Sequence, residues 1–578
     1  MGRSISWNLK KKVRETLSRE TGAVHKEHGG RIRVCLVWPN AYSLGMANLG
    51  FQTVYHLINS LDDAVCERSF LPDKEDIEEF SRTSTELFSY ESQTPLREFD
   101  IIAFSLPFED DYVNIGRILG LANVPVFSAE RDLTPLVIAG GVGVSLNPEP
   151  LAEIIDVFTI GEGEGALPEF IERFRALKDG AKDELLSGLD ELPWTYIPSF
   201  YEYEYDGPAI KEVKRKAGAK EKVVGKKAFD LARFPVPQSF ITTPDAEFRD
   251  TYLIEVERGC GRGCRFCAAG FLYLPPRWRK TEDVKEALSE GLKRAGKAGL
   301  IGTAVSEHPD INDIIGFGVE KEGGVTLSSL RFDMLDAGLL ALLKKSGYKT
   351  ITLAPEAATE RMRAVINKGI TDKEIMDAVS LVREAGFLKL KLYYLIGLPT
   401  ETDEDAEAIV ELTKRIKAVM ARGEISLSIN PFMPKPLTPF QWMAFEETAT
   451  IDKRLKSITK GLLKEKGISV STMSSKEALM QAYLSRADRR AGRFIVEASS
   501  KGWARVLKAN EDFIISSVRM DRAKDAILPW DIIDHGVRKS YLWKEYGKAL
   551  EARATPPCEV GECFRCGVCL PEYFEKEG

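Results

Sequence analysis

Short apolar runs separated by amphipathic stretches fill the first third of the chain. Arg31-Ile-Arg-Val-Cys-Leu-Val-Trp-Pro reads as a buried strand stopped by proline, and helical spacing follows near Met46–Ser60. Further runs open at Asp100-Ile-Ile-Ala-Phe-Ser, Pro135-Leu-Val-Ile-Ala-Gly-Gly and Asp156-Val-Phe-Thr-Ile-Gly, each with a helical stretch after it. Buried strands alternating with helices predict a doubly wound parallel sheet, which binds ligands beyond the carboxyl ends of its strands. Ser105, Gly140, Gly141, Gly161 and Glu162 occupy those ends and are the candidate ligand positions of this domain.

The pattern then changes. Trp194-Thr-Tyr-Ile-Pro-Ser-Phe-Tyr-Glu-Tyr-Glu-Tyr alternates like edge strands, and a lysine-rich run from Lys211 to Lys227 reads as a solvated hairpin or a basic arm for an anionic partner. Strand-like runs return at Thr251, Thr350, Lys389 and Ser426, and residues 446–552 read mainly as helices. The predicted organisation is an extension over 1–30, a Rossmann-like domain over 31–178, a β-rich linker over 179–247, a second α/β core over 248–445, a helical region over 446–552 and a cysteine-rich tail over 553–578.

A chain of 578 residues is too long for one core, and 44% hydrophobic with 29% charged residues is ordinary globular composition. No apolar run reaches membrane-spanning length and the N-terminus lacks a signal-peptide pattern, so a cytoplasmic protein without membrane contact is expected. The net charge of −7 supplies no global field for nucleic acid.

The nine cysteines sharpen the picture. Cys35 and Cys66 stand alone and read as core residues. Cys260, Cys264 and Cys267 lie in Arg258-Gly-Cys-Gly-Arg-Gly-Cys-Arg-Phe-Cys, with no fourth cysteine nearby. Thiolates so spaced can wrap one face of an iron–sulfur cube and leave one iron open; the alternative is a zinc site completed by a distant ligand. Cys558, Cys563, Cys566 and Cys569 crowd the tail in a single run that resembles ferredoxin-type ligation of a second [4Fe–4S] cluster more than a zinc ribbon.

The C-x3-C-x2-C spacing, with Phe266 before its last cysteine, resembles the signature of the radical S-adenosylmethionine (SAM) superfamily. The resemblance implies a partial (β/α)6 barrel, a [4Fe–4S] cluster whose open iron chelates SAM, and reductive cleavage to a 5′-deoxyadenosyl radical. It also implies an oxygen-sensitive site and a flavodoxin- or ferredoxin-type electron donor. Glu356, at the end of the Thr350 strand, is then the ribose ligand, with helix capping as its bland alternative. Backbone groups around Ile396, Gly397 and Leu398, in the turn before Pro-Thr-Glu-Thr402, reach adenine, and Thr400–Thr402 cap the next helix. Ser306 and Glu307 are candidates near the methionine amino group, while His308 reads as a surface loop residue. Arg277, Trp278, Arg279, Lys435 and Gln441 are substrate-binding candidates, although the two arginines could equally serve a domain interface.

Residues 31–178 resemble the cobalamin-binding domain that precedes many radical SAM cores. The D-x-H-x-x-G element that supplies an axial histidine in some cobalamin proteins is absent, so cobalamin is expected either without a protein ligand or not at all. The expected function is radical group transfer, methylation or methylthiolation, on a large substrate such as RNA or protein. The alternatives are a cobalamin-free radical oxidoreductase or rearrangement catalyst whose tail relays electrons, and a non-enzymatic scaffold or redox sensor.

Overall fold

The structure, a computed structural model, describes residues 6–569; Leu570, Pro571 and the rest of the tail lie outside the described residues. Within residues 31–200, strands β1 (Ile32–Trp38), β2 (Ala64–Phe70), β3 (Ile101–Ser105), β4 (Leu136–Gly140), β5 (Val157–Thr159) and β6 (Thr195–Tyr196) form one sheet in the order β2-β1-β3-β4-β5-β6. The first five run parallel, and β6 pairs antiparallel with β5. β2 is buried at every position and β1 at all but Arg33, because helices cover both faces. The chain reverses its winding between β1 and β3, the place where doubly wound sheets open a ligand crevice.

Two boundaries move. The sheet takes in Thr195–Tyr196, so the N-terminal domain extends past residue 178. The linker that remains contains the hairpin Tyr201–Asp206 and Ala209–Arg215, where Lys214 faces Glu202 and bonds Glu204. Its cations are interleaved with carboxylates, so it presents no one-signed face to an anion.

The second core is a partial barrel of parallel strands. Tyr252–Glu255, Lys297–Ile301 and Gly324–Leu327 form one ladder. Thr350–Glu356, Lys389–Ile396, Glu424–Pro431 and Ile468–Thr472 form another. The last strand falls in the stretch expected to be helical, so the barrel sheet runs beyond residue 445. In Lys389–Ile396 and Glu424–Pro431 every second residue is buried. Leu390, Leu392, Tyr394 and Ile396 enter the core under the helices, and the opposite face stays half-buried along the barrel interior. Beyond the barrel, helix Ala491–Lys501 returns to the N-terminal domain and packs on helix Tyr112–Leu121, where Gly116 admits Ser499. Arg489 reinforces the return by pairing with buried Glu149 at 2.9 Å. No helix among the described residues is long and apolar enough to cross a membrane.

Candidate active site

The strand Tyr252–Glu255 continues through Glu257–Arg258 into the loop that carries Cys260, Cys264 and Cys267. Two glycines make the bend. Gly259 has φ +92° with the Tyr273 carbonyl where a Cβ would go, and Gly263 has φ +68°. All nine cysteines are free thiols. Burial, with the Cys264 and Cys267 thiols adding to it, pushes Cys260 up to about 12, and burial with Cys264 pushes Cys267 up to about 11. Thiols in such surroundings ionise only when a cation is bound. Among the described residues no three His, Cys, Asp or Glu side chains close around a single metal ion. The triad suits a cluster by its donor set, three soft thiol ligands on one tightly bent loop with no fourth cysteine in that loop.

Phe266, Glu356 and Lys368 gather beside Cys267. Lys368 lies 6.0 Å from the centre of the Phe266 ring and 3.6 Å from the Glu356 carboxylate. Burial raises the Glu356 carboxyl although Lys368 opposes it. Glu356 sits at φ +65° at the strand end and caps nothing, since Thr359 caps the following helix. Leu398 shares an apolar cluster with Phe266, Phe432 and Met443. Gly397, at φ +80°, donates its N–H to Glu401 at 2.6 Å, and the Ile396 carbonyl accepts from Phe432 N, so these backbone groups are committed within the turn. Thr402 caps the next helix, as its spacing from Asp405 predicts.

Other expected roles change. Glu307 accepts from Arg262 Nε at 2.7 Å and pairs with Arg331 at 3.0 Å, so it braces the cluster loop and is not free for an amino group. Ser306 keeps a buried hydroxyl without a partner. His308 is buried, not superficial: its Nε2 meets the Arg279 carbonyl at 3.0 Å and its Nδ1 accepts from Asp310 N. Arg277 and Arg279 serve the domain interface and do not face a substrate. Arg277 forks onto Glu162 at 2.7 and 3.0 Å, and Arg279 bonds Glu255 at 2.8 Å and the Leu231 carbonyl. Lys435 ties the barrel rim to Glu109 at 2.8 Å. Gln441 is buried, accepting from Trp530 Nε1 and Leu437 N. Of that group Trp278 alone is exposed, at 40%.

A cavity of about 410 Å³ lies between the two α/β domains. Ser105, Gly140, Gly141, Gly161 and Glu162 line it from the sheet, and Glu257, Gly302, Thr303 and Tyr273 line it from the barrel. Packing within the protein already leaves these glycines no room for a side chain. A Cβ on Gly140 would strike Thr159 Oγ1, and one on Gly141 the Leu106 carbonyl. Glu162 is likewise committed, because Arg258, Arg277 and Ala228 N surround its carboxylate. Burial alone would raise this carboxyl, but the two guanidiniums outweigh it and hold it at about 2.

Three lining residues were not among the site candidates read from the sequence, and Lys227 belongs to the lysine run expected to be solvated. Burial raises Glu257 to about 7 with no cation beside it, and its carboxylate accepts from Ala304 N. Lys227 is buried and lowered to about 8, burial being the main cause and Arg277 adding to it. His535 comes from the C-terminal segment, donor-paired through Nε2 with the Ser145 carbonyl at 2.7 Å and held neutral by burial at about 4. The absence of D-x-H-x-x-G thus does not leave the cavity without an imidazole. The volume is within the ~300–1,000 Å³ typical of small-molecule sites, and its walls at the strand ends fit an organic cofactor.

The family described as "Radical SAM superfamily" matches residues 254–413, and that described as "Radical SAM proteins, N-terminal" matches residues 50–198. The uncharacterized protein MJ0966 of Methanocaldococcus jannaschii is 30% identical over 511 residues, spanning 88% of this chain and 98% of that one.

The chain belongs to the radical SAM superfamily.

The uncharacterized methyltransferase PH0819 of Pyrococcus horikoshii is 27% identical over 307 residues, which is 50% of this chain and 60% of that protein. Among solved structures, the radical SAM methyltransferase TsrM of Kitasatospora setae with cobalamin and a [4Fe-4S] cluster bound has a TM-score of 0.47. It is 13% identical and the match covers 84% of this chain and 99% of that one. Membership makes this radical SAM protein an enzyme that uses SAM and a [4Fe–4S] cluster.

The radical SAM core is locked to the C-terminal tail. Arg265, in the cluster loop, is fully buried and donates to Glu545 at 3.0 Å, to the Ala364 and Val365 carbonyls and to the Arg553 carbonyl. Asn367 donates to the Arg262 and Gly263 carbonyls and accepts from Thr555 N at 2.8 Å.

Proposed function

We propose that this enzyme transfers a methyl group from SAM to an unactivated carbon, with Cys260, Cys264 and Cys267 holding the cluster that initiates the radical. The observation that carries the reading is the cavity, because a ligand in it would touch the strand ends of both domains and residues flanking the cluster loop. The [4Fe–4S] group, when bound, supplies the electron that breaks the SAM sulfonium bond. Phe266 and Leu398 offer adenine an apolar surface, and Glu356 with Lys368 offers the ribose a carboxylate and an ammonium. Glu257 holds the Gly302–Ala304 turn against the cluster loop. Cobalamin would supply a methyl carrier; it exceeds the cavity of about 410 Å³, so it would enter only in part, against walls that include Ser105, Gly161 and His535. The name of the Pyrococcus relative supports methyl over sulfur transfer. A macromolecular acceptor such as RNA gains nothing from the paired charges of the linker hairpin.

The test is protein purified without oxygen from cobalamin-supplemented cells, given SAM and dithionite. Methyl transfer leaves S-adenosylhomocysteine, and hydrogen abstraction leaves 5′-deoxyadenosine. Both are expected, together with bound cobalamin. Cleavage retained by C260A/C264A/C267A would overturn the assignment of the cluster ligands. A product lacking S-adenosylhomocysteine would replace methylation by redox or sulfur chemistry.

A further inference from the structure

The segment that carries the four tail cysteines lies directly against the cluster loop. Cys558 donates its backbone N–H to the Gly261 carbonyl at 2.7 Å, and a Cβ on Gly261 would lie 3.3 Å from Cys558 Cβ. Gly261 follows Cys260, so summing bond lengths puts the α-carbons of Cys558 and Cys260 within about 10 Å. One hydrogen bond and one peptide unit separate a ligand of each centre. Asn367 and Arg265 hold that contact from both sides, as described above.

The tail thiols also belong together. Cys558, Cys563, Cys566 and Cys569 lie within twelve residues of chain, and Arg565 Nε donates to Cys563 Sγ at 3.0 Å. Lys227 is buried nearby and donates to the Leu274 carbonyl at 2.7 Å. The centre is asymmetric. Residues 559–562, Phe564 and Arg565 are exposed, whereas Cys566 and Cys569 are buried and Cys558 faces the cluster loop. One edge meets water and the other meets the site of SAM cleavage.

We infer that Cys558, Cys563, Cys566 and Cys569 hold a [4Fe–4S] cluster that relays single electrons from an external donor to the SAM-cleaving cluster, through the Cys558–Gly261 contact. Four cysteines satisfy all four irons of a cube, so SAM has no place to bind there, and the centre is left with electron transfer. In each relay step the tail cluster passes from the 1+ to the 2+ level and the catalytic cluster from 2+ to 1+. A one-electron reductant of the flavodoxin or ferredoxin class then restores the tail. The inference rests on the radical reading of the catalytic cluster.

The test uses the full chain, reconstituted with iron and sulfide without oxygen. Wild type should bind about eight irons, and the C563S/C566S variant about four. In electron paramagnetic resonance of the photoreduced protein, the two reduced clusters should broaden and split each other's signals. C563S/C566S should show one unsplit signal that still shifts on adding SAM, which also reports that the core is folded. That variant should cleave SAM with dithionite at the wild-type rate and lose cleavage driven by reduced flavodoxin. Zinc in the tail, two signals without interaction, or unchanged flavodoxin-driven cleavage would each overturn the relay. Failure of wild type to cleave SAM even with dithionite would instead overturn the radical reading on which it rests.

Discussion

Glu162→Gln isolates the ion pair that joins the two α/β domains. The Glu162 carboxylate lies under two guanidiniums, with Arg277 at 2.7 Å and Arg258 at 2.9 Å. Holding this carboxyl at about 2 instead of 4.5 corresponds to about 3 kcal/mol of differential stabilisation of the ionised form. Because the folded value is depressed, that stabilisation is present above pH 4.5 and disappears as pH falls toward 2. Gln keeps the shape and removes the charge. Arg258 retains Glu164 and Glu255, but Arg277 is left with carbonyl partners only and becomes an uncompensated buried cation. Removing one partner of such a pair costs about 3–5 kcal/mol, so E162Q should lose about 3 kcal/mol at pH 7. Urea unfolding followed by tryptophan emission measures the loss. Arg277→Met in the E162Q background should recover part of it by removing the stranded charge. A loss below about 0.5 kcal/mol, or strictly additive effects of the two substitutions, would refute the reasoning.

Glu257 gives the opposite pH dependence. Its folded value of about 7 lies above 4.5, so its contribution is full below pH 4.5 and falls by about 3 kcal/mol as pH rises through 7; E257Q should flatten that slope in urea titrations at several pH values. Gly259→Ala places a Cβ 2.3 Å from the Tyr273 carbonyl at φ +92°. That should cost at least about 1–3 kcal/mol locally and lower iron incorporation, read as the iron-to-protein ratio after reconstitution. Asn367→Leu strands the Arg262, Gly263 and Thr555 backbone groups, for about 1–3 kcal/mol, and should speed proteolysis after residue 553.

Much of this protein is decided locally and is therefore legible in its sequence. The apolar runs at Ile32, Ile101, Leu136 and Val157 form parallel strands because a strand buried on both faces can hold little else. The cysteine spacing at 260–267 is a property of one loop, as is the Gly397 turn, so neither waits on the fold. Roles that depend on partners far along the chain are different. Arg277 and Arg279 read as clamps for an anion until Glu162 and Glu255 arrive to neutralise them. Glu307 carries the chemistry of an amino-group ligand until Arg262 and Arg331 take it. Charge is written in the sequence, but its compensation is a matter of distances that only packing sets.

Three outcomes were decided by tertiary structure alone. His535 and Lys227 reach the interdomain cavity from segments whose sequence does not point to it. Glu257 becomes a high-lying carboxyl because burial deprives it of water without supplying a cation. The tail meets Gly261 almost 300 residues upstream, since 558 − 261 = 297. Local periodicity reports only what a residue's neighbours along the chain demand. A hydrogen bond across that separation exists only once both domains and the C-terminal helices have closed around it.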